Sequence, residues 1–432
     1  MNNPQIYHGE WWVPAKADPS NNMFMNVPEG LEKKYTGTLT YYGDKDSTLE
    51  LYHIPSNFHS MHYSQNEVIW GKDANGNIFT LFNVTMKEKI GIDFTNTKFV
   101  VGMILMGEHV LSLDYNKFVR CIVRYPHLVN WTFYETQNVI NTYHEEDNSF
   151  VLTIPFQTIN IFDTPVDEAS KWILNQNNSI GNNIRGYQIM PSPYFEIRTT
   201  APISLKSYIR QIKEFTQFLS IALFGIQEPE SVEFVVEGDK NTRKLLFKKE
   251  ASYDPGFYSV IKLKELKEKL PSMLQRWHSI FEKMAPISHY LIKSLQNNRF
   301  DVPDFLIIAQ ALDGYHKRFV NKKNGKDIRK YEDQIEILLN QFKDVKAIEK
   351  CHIKPEVLTD SRNYYSHLFP DEEIKSAVEG DDLYWLTEKC KILLTCCILN
   401  MLGLTNKEIN LCCEQSPISQ IIDSLPLEPE IE

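Results

Sequence analysis

A chain of 432 residues, 42% hydrophobic and 24% charged, has apolar material for two or three domains with real cores and is not a disordered polymer. Its formal charge of −10 excludes a general nucleic-acid coat, so any contact with nucleic acid must use a local basic patch. The odd count of seven cysteines, with a polar Met1–Glu10 segment unlike a signal peptide, points to reduced thiols in the cytoplasm.

Residues 1–200 read as β-rich, with short β-branched and aromatic runs separated by turn residues. The runs include YTGTLTYYG, STLELYHI, NIFTLFNVTM, KFVVGMILM, KFVRCIVRY, WTFYET and SFVLTIPF. Asn75-Gly76, between EVIWGK and NIFTLF, predicts a hairpin. So many short strands fit a sandwich or barrel, and no G-x-G-x-x-G or P-loop motif supports a nucleotide fold. Trp11, Trp12, Trp70 and Trp131 read as core and sheet anchors. His8, His53 and His127 lack metal-ligand spacing, so no metal or other cofactor is expected.

Residues 201–261 read as a connector packed on the β-rich domain. Ser204 to Gly225 is an apolar-periodic helix ending at a glycine, and SVEFVVEG and RKLLFKKE follow as two strands. From 262 to 432 the chain turns helical. Leu274, Trp277, Phe281 and Met284 mark one helix, which Pro286 is expected to interrupt. A second has Pro303 in its first turn and the stripe Phe305, Ile308, Leu312, Tyr315 and Phe319. A third spans Tyr331 to Glu349, a fourth Pro355 to Phe369, and a last long one passes through Leu383, Leu386, Cys390, Leu393 and Cys397. The expected fold is therefore α+β: a β-rich domain, sandwich- or barrel-like, followed by an antiparallel helical bundle. The apolar run from Ile392 to Leu404 is too short for a bilayer and contains Asn400, so no membrane span is expected. Cys396-Cys397 and Cys412-Cys413 are neighbours about 100° apart on a helix, poorly placed to share one metal.

The fourth helix carries SRNYYSHLF. With Arg362 at 0° on a helical wheel, Ser366 falls near about 40°, Asn363 near about 100° and His367 near about 140°. One edge thus carries a permanent cation, an amide, a hydroxyl and an imidazole, while Tyr364, Tyr365 and Leu368 face the bundle. That set suits RNA cleavage without a metal: histidine serves as acid or base near neutrality, and arginine forks onto phosphate oxygens. One helix supplies one histidine, so two copies across a two-fold axis would complete a site. From Lys317 to Lys330 the chain is basic, and Lys317, Arg318, Lys322 and Lys323 are candidates for tracking an RNA backbone. The bland alternative is a solvated helix end.

The string R-N-Y-Y-S-H, with Val357 and Leu358 before it and Leu368 after it, resembles the R-x(4-6)-H motif of HEPN domains. FLIIAQALDGYHKRF resembles the preceding HEPN helix, with Asp313 at the acidic position where Glu is more usual. His316, three residues on, reads as an exposed side chain or a second residue of that cleft. HGEWWVP, YTGTLTY, EVIWGK and YPHLVNW are similar to the N-terminal domain of ApeA-like antiphage proteins, which pair it with a C-terminal HEPN domain. The resemblance implies a dimeric, metal-independent ribonuclease with Arg362, His367, Asn363 and Asp313 at its site. It also implies restraint by the N-terminal domain until a phage-derived trigger arrives, and it allows transfer RNA as the target. The alternative is a non-catalytic HEPN-like module that binds RNA or a protein partner.

Overall fold

A computed structural model describes residues 3–14, 34–55, 68–90, 94–132, 140–144, 149–153, 158–183, 186–249, 252–254, 256, 258–296, 300–321, 328–367 and 376–426. Alternation of apolar and polar residues opens the chain with strands. These are β1 (Gln5–Trp12), β2 (Tyr35–Tyr41), β3 (Ser47–Pro55), β4 (Ile69–Asp73), β5 (Ile78–Ile90) and β6 (Phe94–Met106). They pair in the order β6-β3-β2-β1-β4-β5, and β5 pairs again with β6, so the ring closes into a barrel. In β2, Tyr35, Gly37, Leu39 and Tyr41 face inward and the residues between them face outward. Trp11, Leu49, Phe79, Leu81 and Phe99 complete a core whose buried residues all come from the barrel, with Leu246 packed against it from outside. Gly71 is required there, because a Cβ would sit 2.1 Å from the Trp11 ring. The expected β4–β5 hairpin forms at Asn75-Gly76. Gly76 takes φ +86°, and the Asp73 carboxylate accepts from the backbone N–H groups of Asn75 (2.9 Å) and Asn77 (2.8 Å).

β6 outgrows the barrel and links it to an open sheet. The next elements are β7 (Asn116–Arg124), α1 (Leu128–Thr132), β8 (Ile140–His144), β9 (Ser149–Thr153), β10 (Ile159–Pro165), β11 (Ser170–Asn183), β12 (Gly186–Ser204), α2 (Leu205–Ala222), β13 (Ser231–Val236) and β14 (Thr242–Phe247). The first half of β6 pairs with β3 and its last residues with β14, from which the sheet continues β13-β7-β12-β11-β10. Among the described residues, β8 and β9 pair only with each other. The two strands expected after the first helix are thus built into the sheet between β7 and β6. WTFYET was expected as a strand, but Trp131 and Thr132 end α1, and Phe133 to Thr136 lie outside the described residues. The Trp131 indole donates to the Ile261 carbonyl (2.7 Å) from a buried position, which draws this segment onto the helical side. α2 starts at Ser204, whose hydroxyl accepts from the Ser207 N–H, and it lies on the sheet through Phe215 stacked on Phe195 (3.6 Å between centroids).

The helical part comprises α3 (Leu263–Leu266), α4 (Leu270–Ser294), α5 (Val302–Tyr315) with a π-helical turn (His316–Val320), α6 (Tyr331–Gln341), α7 (Lys346–Cys351), α8 (Pro355–His367), α9 (Gly380–Met401), α10 (Asn406–Cys413) and α11 (Pro417–Asp423). Three sequence expectations change here. α4 runs through Pro286 instead of stopping. Pro286 and Glu282 both lie on the exposed side, so the carbonyl left without an N–H partner can bond water. The stripe of the second helix changes pitch at His316, so Phe319 belongs to the π turn. The third helix breaks into α6 and α7. Asn410 there accepts from the Lys346 N–H (2.8 Å) and donates to the Asp344 carbonyl (2.9 Å), while Asn406 donates to the Gln341 carbonyl (3.0 Å). Side chains of α10 thus take over backbone groups that a continuous helix would have paired internally.

α9 is the central helix, buried from Leu386 through Leu399 except at Lys389. One continuous apolar core runs from β7, β11 and β12 through α2 and α4 into α5 and α9. All seven cysteines are buried and none forms a disulfide. No described helix is long and apolar enough to cross a membrane.

Candidate nuclease site

α8 presents Leu358 and Ser361 to the bundle, leaves Arg362 and Asn363 half-buried, and exposes Ser366 and His367 at its C-terminal end. Pro355 opens the helix at a position that needs no backbone N–H. Its far end is tied to the chain returning toward α9. The Val378 N–H donates to the Ser361 hydroxyl (3.1 Å), and the Tyr365 hydroxyl donates to the Val378 carbonyl (3.2 Å). Tyr365 also packs edge-on against Phe305 of α5. These contacts fix the rotation of α8 and so the direction of its polar edge.

Arg362 is held from two sides. Its guanidinium donates to the Asn363 carboxamide oxygen (3.0 Å), and its central carbon lies 5.6 Å from the centre of the Tyr331 ring. Tyr331, the first residue of α6, is buried and donates its hydroxyl to the Ala309 carbonyl of α5 (3.1 Å). Burial pushes the Tyr331 phenol well up, with the charge of Asp313 adding to the rise and that of Arg362 opposing it. Both charges therefore act on one buried ring at the junction of α5, α6 and α8. Sequence reading missed Tyr331. Its only signal was an aromatic residue at the first helical position after the basic run.

Asp313 is half-buried, and its carboxylate pairs with Lys317 one turn on (2.7 Å); among the described residues it makes no ion pair with Arg362. Arg318 donates to the Lys283 carbonyl (2.7 Å), in the turn before Pro286. Lys317 and Arg318 therefore carry internal bonds, while Lys322 and Lys323 lie outside the described residues. His316 is fully buried, not exposed, and neither ring nitrogen has a hydrogen-bond partner. Burial lowers its pKa, Asp313 opposes that fall, and Lys317 adds to it. The π turn rotates this imidazole into the core and leaves Lys317 and Arg318 exposed.

A helical bundle that turns R-N-Y-Y-S-H outward on one helix has the organisation of a HEPN domain, and the family model described as Apea-like HEPN matches residues 306–408. The model of ApeA N-terminal domain 1 matches residues 6–283, so the chain belongs to the ApeA family. Neither curated proteins nor solved structures give a match.

Proposed function

We propose that this chain is a metal-independent endoribonuclease of antiphage defence. Its proposed parts are a β-rich sensor (1–200), a connector (201–261) and a nuclease bundle (262–432). The observation that carries it is the Arg362–Asn363 pair, seated on Tyr331 and followed one turn later by His367 at the exposed end of α8. Such an edge offers a fixed cation for a phosphate and an imidazole for its protons.

In the proposed reaction the ribose 2′-oxygen bonds to phosphorus and the bond from phosphorus to the 5′-oxygen breaks. A base takes the 2′ proton and an acid protonates the departing 5′-oxygen. The products are a 2′,3′-cyclic phosphate and a 5′-hydroxyl. Arg362 stabilises the added charge of the phosphorane, and Asn363 fixes the guanidinium. One His367 serves one proton transfer, so the second falls to the His367 of a second copy across a two-fold axis. Asp313, at the end of α5, fixes Lys317 beside the site. The RNA backbone continues over Lys317 and Arg318 toward Lys322 and Lys323, and transfer RNA is the proposed target. The β-rich domain restrains the bundle until a phage-derived trigger binds, and the site of action is the cytoplasm.

The test is cleavage by purified full-length protein. Arg362→Ala and His367→Ala should each lower the rate by at least about a hundredfold, the usual share of a lost acid–base or charge-stabilising group. Their thermal midpoints should match the parent. Full cleavage by His367→Ala would overturn the reading. RNA binding without turnover by the parent protein would favour a non-catalytic module.

A further inference from the structure

A cavity of about 610 Å³, within the range of small-molecule sites, lies between α2, the β13–β14 hairpin and the second half of α4. Ile212, Leu245, Phe247 and Ile292 give it an apolar wall. Lys213, Lys293 and Glu228 at its edge carry both signs and single out neither an anion nor a cation. The selecting group is Gln227, which is fully buried on this wall. Its backbone N–H donates to the Ser220 hydroxyl (3.0 Å), and its amide nitrogen donates to the carbonyls of Tyr253 (2.9 Å) and Gly225 (3.4 Å). These bonds fix which way the carboxamide faces, because turning it over would set its oxygen against two carbonyl oxygens. The amide oxygen has no hydrogen-bond partner among the described residues. The hydroxyls on the same wall are already committed, Thr216 donating to the Ile212 carbonyl (2.7 Å) and Ser220 to the Thr216 carbonyl (2.8 Å). A buried acceptor with no donor, on the wall of a cavity with room for a ligand, is a cost that a donor on the ligand would relieve.

We propose that this cavity binds a small, neutral, largely apolar molecule that carries one hydroxyl or N–H donor. Its body lies on the Ile212–Ile292 wall, and its donor bonds to the Gln227 amide oxygen. An apolar wall with one fixed polar group takes up a molecule of low polarity in a single orientation. A molecule without the donor leaves the acceptor unmet, and an ion would lose its hydration against the apolar wall. Binding there is a property of α2, the hairpin and α4, whether or not α8 cleaves RNA.

The test is equilibrium dialysis of full-length protein against two neutral probes of nearly one shape, 2-naphthol, which has the donor, and 2-methoxynaphthalene, which lacks it. The parent should bind one naphthol per chain, saturably, and about tenfold more tightly than the methyl ether. Gln227→Met, which removes the acceptor at similar length, should bring naphthol affinity down to that of the ether. Ile292→Trp, which fills the cavity and leaves Gln227 in place, should abolish binding of both probes and keeps the test decisive should Gln227→Met not fold. Equal affinity for the two probes in the parent, several equivalent naphthol sites, a preference for naphthol kept in Gln227→Met, or unchanged naphthol binding in Ile292→Trp would each overturn the proposal.

Discussion

At the scale of single residues, the candidate site depends on a side chain that does no chemistry. Tyr331 supports the Arg362 guanidinium with its ring and anchors itself to α5 through its hydroxyl. These two roles can be separated. Tyr331→Phe keeps the ring, so cleavage should stay near that of the parent while stability falls by about 1 kcal/mol, the value of one hydrogen bond. Tyr331→Leu removes the ring and should slow cleavage about tenfold, equivalent to roughly 1.4 kcal/mol. Equal rates for the two variants would show that the ring does not position the arginine. Two histidines, the buried His316 and the half-buried His278, give opposite pH responses. His316 is held below its usual range by burial, so its contribution to stability is complete above the unfolded value of about 6.5 and is lost as pH falls below it. His278 is raised, first by its bond to Glu214 and further by the charges of Glu214 and Asp167, against burial and Arg210. Its contribution is complete below about 6.5 and is lost as pH rises through the raised value. Melting curves across pH should therefore lose their acid slope in His316→Gln and their alkaline slope in His278→Gln. Profiles parallel to the parent would contradict both assignments. Arg362, Asn363 and His367 were legible in the sequence because they lie on one short helix, where spacing alone sets direction. Tyr331 and the burial of His316 were not, because the first depends on a contact between helices and the second on a local change of pitch.

At the scale of elements, α4 joins the two halves of the molecule. Its Trp277 indole donates to the Glu214 carbonyl of α2 (2.8 Å), and its His278 donates to the fully buried Glu214 carboxylate (2.6 Å). The same carboxylate accepts from Arg210 (2.9 Å), whose side chain is half exposed. Breaking a buried pair strands a charge, so Glu214→Ala should cost about 3 kcal/mol. Arg210→Ala, at the solvent edge, should cost under about 1 kcal/mol. Denaturant unfolding of the two variants checks this ranking, and equal losses would contradict it. Periodicity located α2, α4, α5 and α9 because each buries many apolar positions, whereas α8 buries Leu358 and Ser361 and was read from its polar edge. It erred at Pro286, where solvent satisfies the freed carbonyl, and between α6 and α7, where side chains of α10 cap a break that no local signal announces. Of the barrel strands, β1 was not named as one, while β2 to β6 were legible. Their closure was not, since it rests on β6 pairing with β3, β14 and β5 along one long strand.

At the scale of the whole molecule, the barrel keeps a core of its own, while the open sheet shares its core with the helices. The sheet, α2, α4 and α5 are thus packed through one continuous apolar core. The most direct measurement is sequencing of RNA ends in cells carrying the parent chain or His367→Ala, with and without phage. New cyclic-phosphate and 5′-hydroxyl ends are expected after infection in the parent alone, together with growth arrest. The same ends and the same arrest in His367→Ala cells would contradict it.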